Sequence, residues 1–192
     1  MVETLLINAC VREKSRTLEL ARHVLSLLPG EVEEVKLYEA GLQPLDTEGM
    51  KARDDAFRAK DFSDSRFSLA RQFASAKTVV IAAPYWDLMF PAVLKTYFEA
   101  VTVNGLTFTY GETGIPVGLC RAERLIYVTT AGGPIFQNFG YEYACALGRS
   151  FYGIKDAVCI RAEGLDIRGA NVEEILRKAK ESATEVMERA CL

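Results

Sequence analysis

Apolar residues recur along this chain in two rhythms: short unbroken runs, and longer stripes spaced three and four apart. The runs cover residues 4–9 (TLLINA), 79–83 (VVIAA), 124–130 (RLIYVTT) and 157–162 (AVCIRA). Continuous apolar stretches this short predict strands buried on both faces. Residues 31–37 alternate instead, with Val32, Val35 and Leu37 apolar, which predicts a strand nearer an edge. The stripes predict amphipathic helices. One runs over 17–28 (Leu18, Ala21, Val24, Leu25, Leu28) and stops at Pro29-Gly30. A second ends at Ala76, capped by Ser63 or Asp64 and turning Phe67, Ala70, Phe73 and Ala74 inward. A third begins at Pro91 with Leu94, Tyr97, Phe98 and Val101 in register. Residues 136–152 carry Phe139, Tyr143, Leu147 and Phe151 on one stripe. Asn171 caps a last helix with Val172, Ile175, Leu176, Ala179, Ala183 and Val186 inward.

Between these lie two less regular stretches. Residues 38–64 are punctuated by Gly41, Pro44 and Gly49, have room for a short surface helix, and are long enough for a functional loop. Residues 106–110 alternate ahead of a turn at 111–114, as in a small hairpin. Strands separated by single helices predict right-handed crossovers. The fold class is therefore α/β: one domain over residues 1–192, with a doubly wound five-stranded parallel sheet of order 2-1-3-4-5 and helices on both faces.

Composition narrows the function classes. A net charge of −3 argues against nucleic-acid binding, which needs a basic face. No apolar run reaches the roughly 18 residues of a membrane span. The start, Met1-Val2-Glu3-Thr4, lacks a positive n-region, so the expected setting is cytoplasmic. The five cysteines are odd in number and form no C-x-x-C pair, which suggests free thiols rather than disulfides or zinc. Cys191 lies too near the end for a prenylation box. The single histidine, His23, falls on the first helix and is expected to face solvent. No metal site and no side-chain catalytic set is predicted.

Candidate chemistry gathers at the carboxyl ends of the first, third and fourth strands, where ligands bind in such sheets. Ser15, Arg16 and Thr17 open a helix whose free N–H groups suit a phosphate, with Arg12 nearby. Pro84, Tyr85, Trp86, Asp87 and Leu88 form an aromatic turn able to wall a flat ring. Thr130, Ala131, Gly132 and Gly133 end the fourth strand with little side chain, which lets backbone approach a ligand. Each loop alone is equally compatible with ordinary capping, core packing or a tight turn. It is their coincidence at one rim that marks a site.

These residues also carry a resemblance. Ser15-Arg16-Thr17, the block from Ala83 to Leu88 followed by Pro91-Ala92 and Leu94-Lys95, then Gly105-Leu106-Thr107-Phe108-Thr109-Tyr110, and Thr129-Thr130-Ala131-Gly132-Gly133 resemble the FMN-dependent NADH-azoreductase and quinone reductase family of flavodoxin-like proteins. The resemblance implies non-covalent FMN at a homodimer interface. Ser15, Arg16 and Thr17 would hold its phosphate, Tyr85 to Leu88 would flank the ring with the Asp87 N–H near flavin N5, and Thr130 to Gly133 would border the pyrimidine side. It implies hydride exchange between NADH or NADPH and a quinone or azo acceptor, with no obligatory side-chain acid or base. Aromatic lids from the partner subunit would be Phe108 and Tyr110. Ala9, Asp87 and Ala131 depart from residues frequent in that family, which keeps open a flavodoxin-like binding protein that has lost flavin; a one-electron transfer module is the other alternative, disfavoured by the mild net charge and the long excursion around Leu106–Cys120.

Overall fold

The computed structural model describes residues 2–189; Met1 and Cys191, invoked above, lie outside the described residues. Five parallel strands form one sheet: β1 (Thr4–Asn8), β2 (Val32–Lys36), β3 (Thr78–Ala82), β6 (Arg124–Thr130) and β7 (Asp156–Ala162). Their order, β2-β1-β3-β6-β7, is the expected 2-1-3-4-5 arrangement. A separate antiparallel hairpin, β4 (Phe108–Tyr110) with β5 (Pro116–Gly118), occupies the excursion before β6. The sheet's two faces are sorted by strand alternation. Leu5, Ile7, Val79, Ile81, Leu125 and Tyr127 point to one side and meet α3 (Ser68–Ser75) and α4 (Ala92–Val101). Leu6, Val80, Ala82, Ile126 and Val128 point to the other and meet α1 (Arg16–Ser26) and α6 (Val172–Arg189). Core strands apolar on both faces follow from this double cover. Val32 on edge strand β2 is left 40% exposed.

Several expectations shift. Residues 38–64 contain α2 (Thr47–Ala59), capped by Asp46 and ended by Lys60 in the left-handed region; only Ala56 of its side chains is buried. That near-absence of a buried stripe is why periodicity left it indistinct. Pro91 is the cap preceding α4 rather than its first residue. The helix expected over 136–152 begins three residues later, as α5 (Phe139–Leu147), and closes in a π turn, Gly148–Tyr152. Asn138 Oδ1 accepts from the Tyr141 N–H and sets that start. The buried stripe is also offset from the one expected. Gly140, Ala144 and Cys145 face the sheet, while Phe139 is 41% exposed. Glycine is required at 140, because a methyl there would lie 2.6 Å from the Tyr127 hydroxyl.

His23 corrects another expectation. Its Nε2 lies 3.0 Å from the Lys180 carbonyl and 3.1 Å from Thr184 Oγ1, so it docks α1 onto α6 instead of facing solvent. Phe108 likewise packs inside its own chain, edge-on to Phe151 at 5.0 Å, whereas Tyr110 is exposed. A buried Phe108 is not available as a lid. Among the described residues, no helix is long and apolar enough to cross a membrane, and no group of three acidic, histidine or cysteine side chains could hold a metal ion.

Candidate ligand cleft at the strand ends

The loops after β1, β3 and β6 converge because their strands are neighbours in the sheet. Between them opens a cleft lined by Cys10, Val11, Arg12, Lys14, Ser15, Arg16, Thr17, Pro84, Tyr85, Trp86, Thr130, Ala131, Gly132 and Asp166. Ten of these, Arg12 included, are residues singled out from sequence. Asp87, Leu88 and Gly133 sit just beyond its lining.

One end of the cleft suits an anion. Ser15 caps α1, its Oγ accepting from the Leu18 N–H at 3.2 Å. A helix start leaves its first N–H groups without intrahelical acceptors. Those of Arg16 and Thr17 are therefore open, at the positive end of the helix dipole. Arg12 and Lys14 add two exposed cations. Two side chains expected to reach a phosphate are engaged elsewhere. The Thr17 hydroxyl pairs with that of Thr130 at 2.6 Å, in a buried bond that ties the helix start to the end of β6. The Arg16 guanidinium binds the loop after β7, through the Leu165 carbonyl and Asp166.

The opposite wall is flat and apolar. Pro84 ends β3, since its missing N–H cannot continue the ladder. Tyr85 donates its backbone N–H to the Thr130 carbonyl at 3.0 Å and its hydroxyl to the Gln137 carbonyl at 2.8 Å. Trp86 and Met89 then exchange backbone bonds at 3.2 and 2.8 Å across Asp87 and Leu88, whose φ angles are +50° and +66°. Two successive positive φ values make this a type I′ turn. Leucine rarely adopts that conformation, so Leu88 stores backbone strain beside the cleft. The turn leaves the N–H groups of Asp87 and Leu88 unused. The Asp87 side chain is exposed.

Cys10 and Asp166 belong to the cleft but were not proposed from sequence. Burial pushes the Cys10 thiol above its ordinary pKa, and Sγ lies 3.6 Å from the Ala82 carbonyl. Its position directly after a buried strand was the available signal. Asp166 had none. It arrives because the N–H groups of Gly164, Leu165 and Asp166 donate to the carbonyls of Gly133, Ala131 and Gly132, folding the β7 loop onto the β6 loop. Ala9, by contrast, is buried outside the lining.

Chemically, the cleft offers open N–H groups, a hydroxyl and two cations at one end and a planar apolar wall at the other. That donor set fits a ligand with a phosphate joined to a flat ring.

Comparison with known proteins gives the same topology. A family model described as flavodoxin-like fold matches residues 2–187. An FMN-dependent NADH:quinone oxidoreductase of Lachnoclostridium phytofermentans is 33% identical over 193 residues, covering 95% of this chain and 96% of its own. Another protein of that name, from Clostridium perfringens, is 40% identical over 124 residues, and there the chain spans 62% of the relative's length. Among solved structures, an azoreductase from Bacillus anthracis superposes with a TM-score of 0.83 at 25% identity, over 98% of this chain and 100% of that one. By sequence and by strand order alike, this chain belongs to the flavodoxin-like fold family, alongside the FMN-dependent NADH:quinone oxidoreductases.

Proposed function

We propose that this protein is an FMN-dependent NAD(P)H oxidoreductase that delivers electrons to quinones, azo compounds or similar aromatic acceptors. The observation that carries the reading is the two-ended donor set of the cleft. The phosphate meets the Ser15 hydroxyl and the N–H groups of Arg16 and Thr17. Pro84, Tyr85 and Trp86 flank the ring on one side, and Thr130, Ala131, Gly132 and Gly133 approach it with backbone. Asp87 and Leu88 offer their unused N–H groups to its polar edge. When bound, FMN supplies the hydride chemistry between nicotinamide and acceptor, and the protein binds, orients and excludes water. No side chain is assigned as acid or base.

Two copies of the chain pair across the cleft in this reading. What supports it is an apolar rim: Trp86 is 40% exposed, Leu88 52%, Phe136 91% and Phe139 41%. Apolar surface of this kind favours a covering partner or a flat aromatic substrate. The free thiols Cys10, Cys120, Cys145 and Cys159 suit the cytoplasm, where NADH is also found. Purified protein should be yellow, lose its colour with NADH under argon, and regain it on addition of a quinone. Sedimentation should give twice the 21.3 kDa chain mass. Colourless protein that takes up no added FMN would refute the flavin assignment, and a monomer would refute the pairing.

A further inference from the structure

Arg16 stands at the anion end of the cleft, yet its guanidinium faces protein. Nη1 donates to the Leu165 carbonyl at 3.0 Å and Nη2 to Asp166 Oδ1 at 2.8 Å. A rigid planar fork that uses two donors this way is fixed in direction. Both acceptors lie in the loop after β7, already bonded to the loop after β6 through Gly133, Ala131 and Gly132. Asp166 stands directly over Gly132, where an added methyl would come within 2.3 Å of its Oδ2. Arg16 thus joins the start of α1 to both loops that form one side of the cleft. Arg12 and Lys14 line the same cleft, exposed and in no ion pair among the described residues.

We propose that Arg16 and Asp166 form a strut positioning the cofactor's cleft wall, while Arg12 and Lys14 supply the positive charge for its phosphate. The inference rests on the flavin reading of the cleft. Asp166 neutralises Arg16, so an arriving phosphate gains little from that guanidinium. Drawing Arg16 away would leave a bare carboxylate beside the phosphate, a like-charge contact that opposes binding. Arg12 and Lys14 carry no such penalty. The strut side chains are 30% and 66% exposed, so the pair contributes little to global stability. Its loss leaves the fold intact and loosens one wall.

The test is FMN affinity, read by quenching of flavin fluorescence across a salt series on flavin-free full-length protein. The set comprises wild type, Arg16→Gln, Asp166→Asn, the double variant, Arg12→Gln and Lys14→Gln. The double variant breaks the strut without changing the net charge, so it should lose about three- to fivefold with the salt dependence of wild type. Arg16→Gln should lose more than the double, because it also leaves the Asp166 carboxylate bare beside the phosphate. The visible circular dichroism of the saturated flavin should change, because the wall has moved. Arg12→Gln and Lys14→Gln should each weaken binding about three- to tenfold at low salt and flatten the salt series, since they remove screened charge. Their dichroism should stay that of wild type. Two results would overturn the proposal: a double variant that binds FMN with wild-type affinity and dichroism, which would leave the strut without a role, or Arg16→Gln and the double variant losing equally with flattened salt series, which would make Arg16 the phosphate's own partner. Wild-type protein with no affinity for FMN would instead refute the flavin reading itself, independently of the variants.

Discussion

The paired hydroxyls of Thr17 and Thr130 join the helix that opens the anion site to the strand that ends at the cleft. Replacing Thr17 by Val keeps its shape and β-branching while removing the oxygen. Thr130, only 8% exposed, then loses a partner at 2.6 Å. An unsatisfied buried hydroxyl costs about 1–3 kcal/mol, and the residual exposure of Thr130 places the loss near about 1–2 kcal/mol. In a chain of 192 residues that lowers Tm by about 2–8 °C. Thr130→Val should cost a similar amount, leaving Thr17, 1% exposed, with the orphaned oxygen. The double variant removes donor and acceptor together, so it should cost no more than one single. The coupling would then reach about 1 kcal/mol or more. Urea unfolding of the flavin-free protein measures all four stabilities, and an unchanged slope shows that compactness is unaltered. Single effects that add to within about 0.3–0.5 kcal/mol would show that the hydroxyls share no bond.

Leu88→Gly should raise stability by about 1 kcal/mol, because glycine adopts the φ of +66° without strain; an unchanged or lowered urea midpoint would contradict this. Gly132→Ala should weaken FMN binding, since its methyl meets Asp166 Oδ2 at 2.3 Å. Fluorescence titration against wild type measures the loss. Burial raises the Cys10 pKa, so its alkylation by iodoacetamide at pH 8 should be slower than that of a free cysteine and slower still with FMN bound. Mass spectrometry of the labelled peptide reads the rate. The Glu174 carboxylate is held down to about 2 by its hydrogen bonds with Arg177. A depressed folded-state pKa adds stability that is present above the unfolded value and lost on acidification, here between about 4.5 and about 2. Glu174→Gln should therefore remove part of the acid sensitivity in that window, as followed by far-ultraviolet dichroism.

The strands were legible because their two-sided burial follows from local pattern. Residues such as Leu5-Leu6-Ile7 are apolar without interruption only where both faces are covered, and β1 is buried at all five positions. The loops at the strand ends followed from the same reasoning, and Ser15, Tyr85, Trp86 and Gly132 all line the cleft. What pattern could not supply was the direction of side chains at the rim. Arg16 and Thr17 occur at a helix start, where sequence alone points them toward an anion. Leu165, Asp166 and Thr130, between 113 and 150 residues away, turn them aside. Helix α2 and the offset stripe of α5 were obscured for a related reason. An exposed helix carries no buried period, and α5 turns Gly140 to the sheet because the Tyr127 hydroxyl leaves no room there for a methyl.

By itself, then, the sequence determined the order of strands and helices, the two-sided burial of the sheet and the three loops that meet at its edge. The first two depend on contacts within a few residues and on the period of apolar positions; the third follows once β1, β3 and β6 are neighbours in the sheet. The tertiary structure decided which groups in those loops remain free. Asp87 lies exposed in a strained turn, Asp166 enters the cleft from the far end of the chain, and the Arg16 charge is already paired. Each outcome depends on partners distant in sequence, brought together by the stacking of parallel strands.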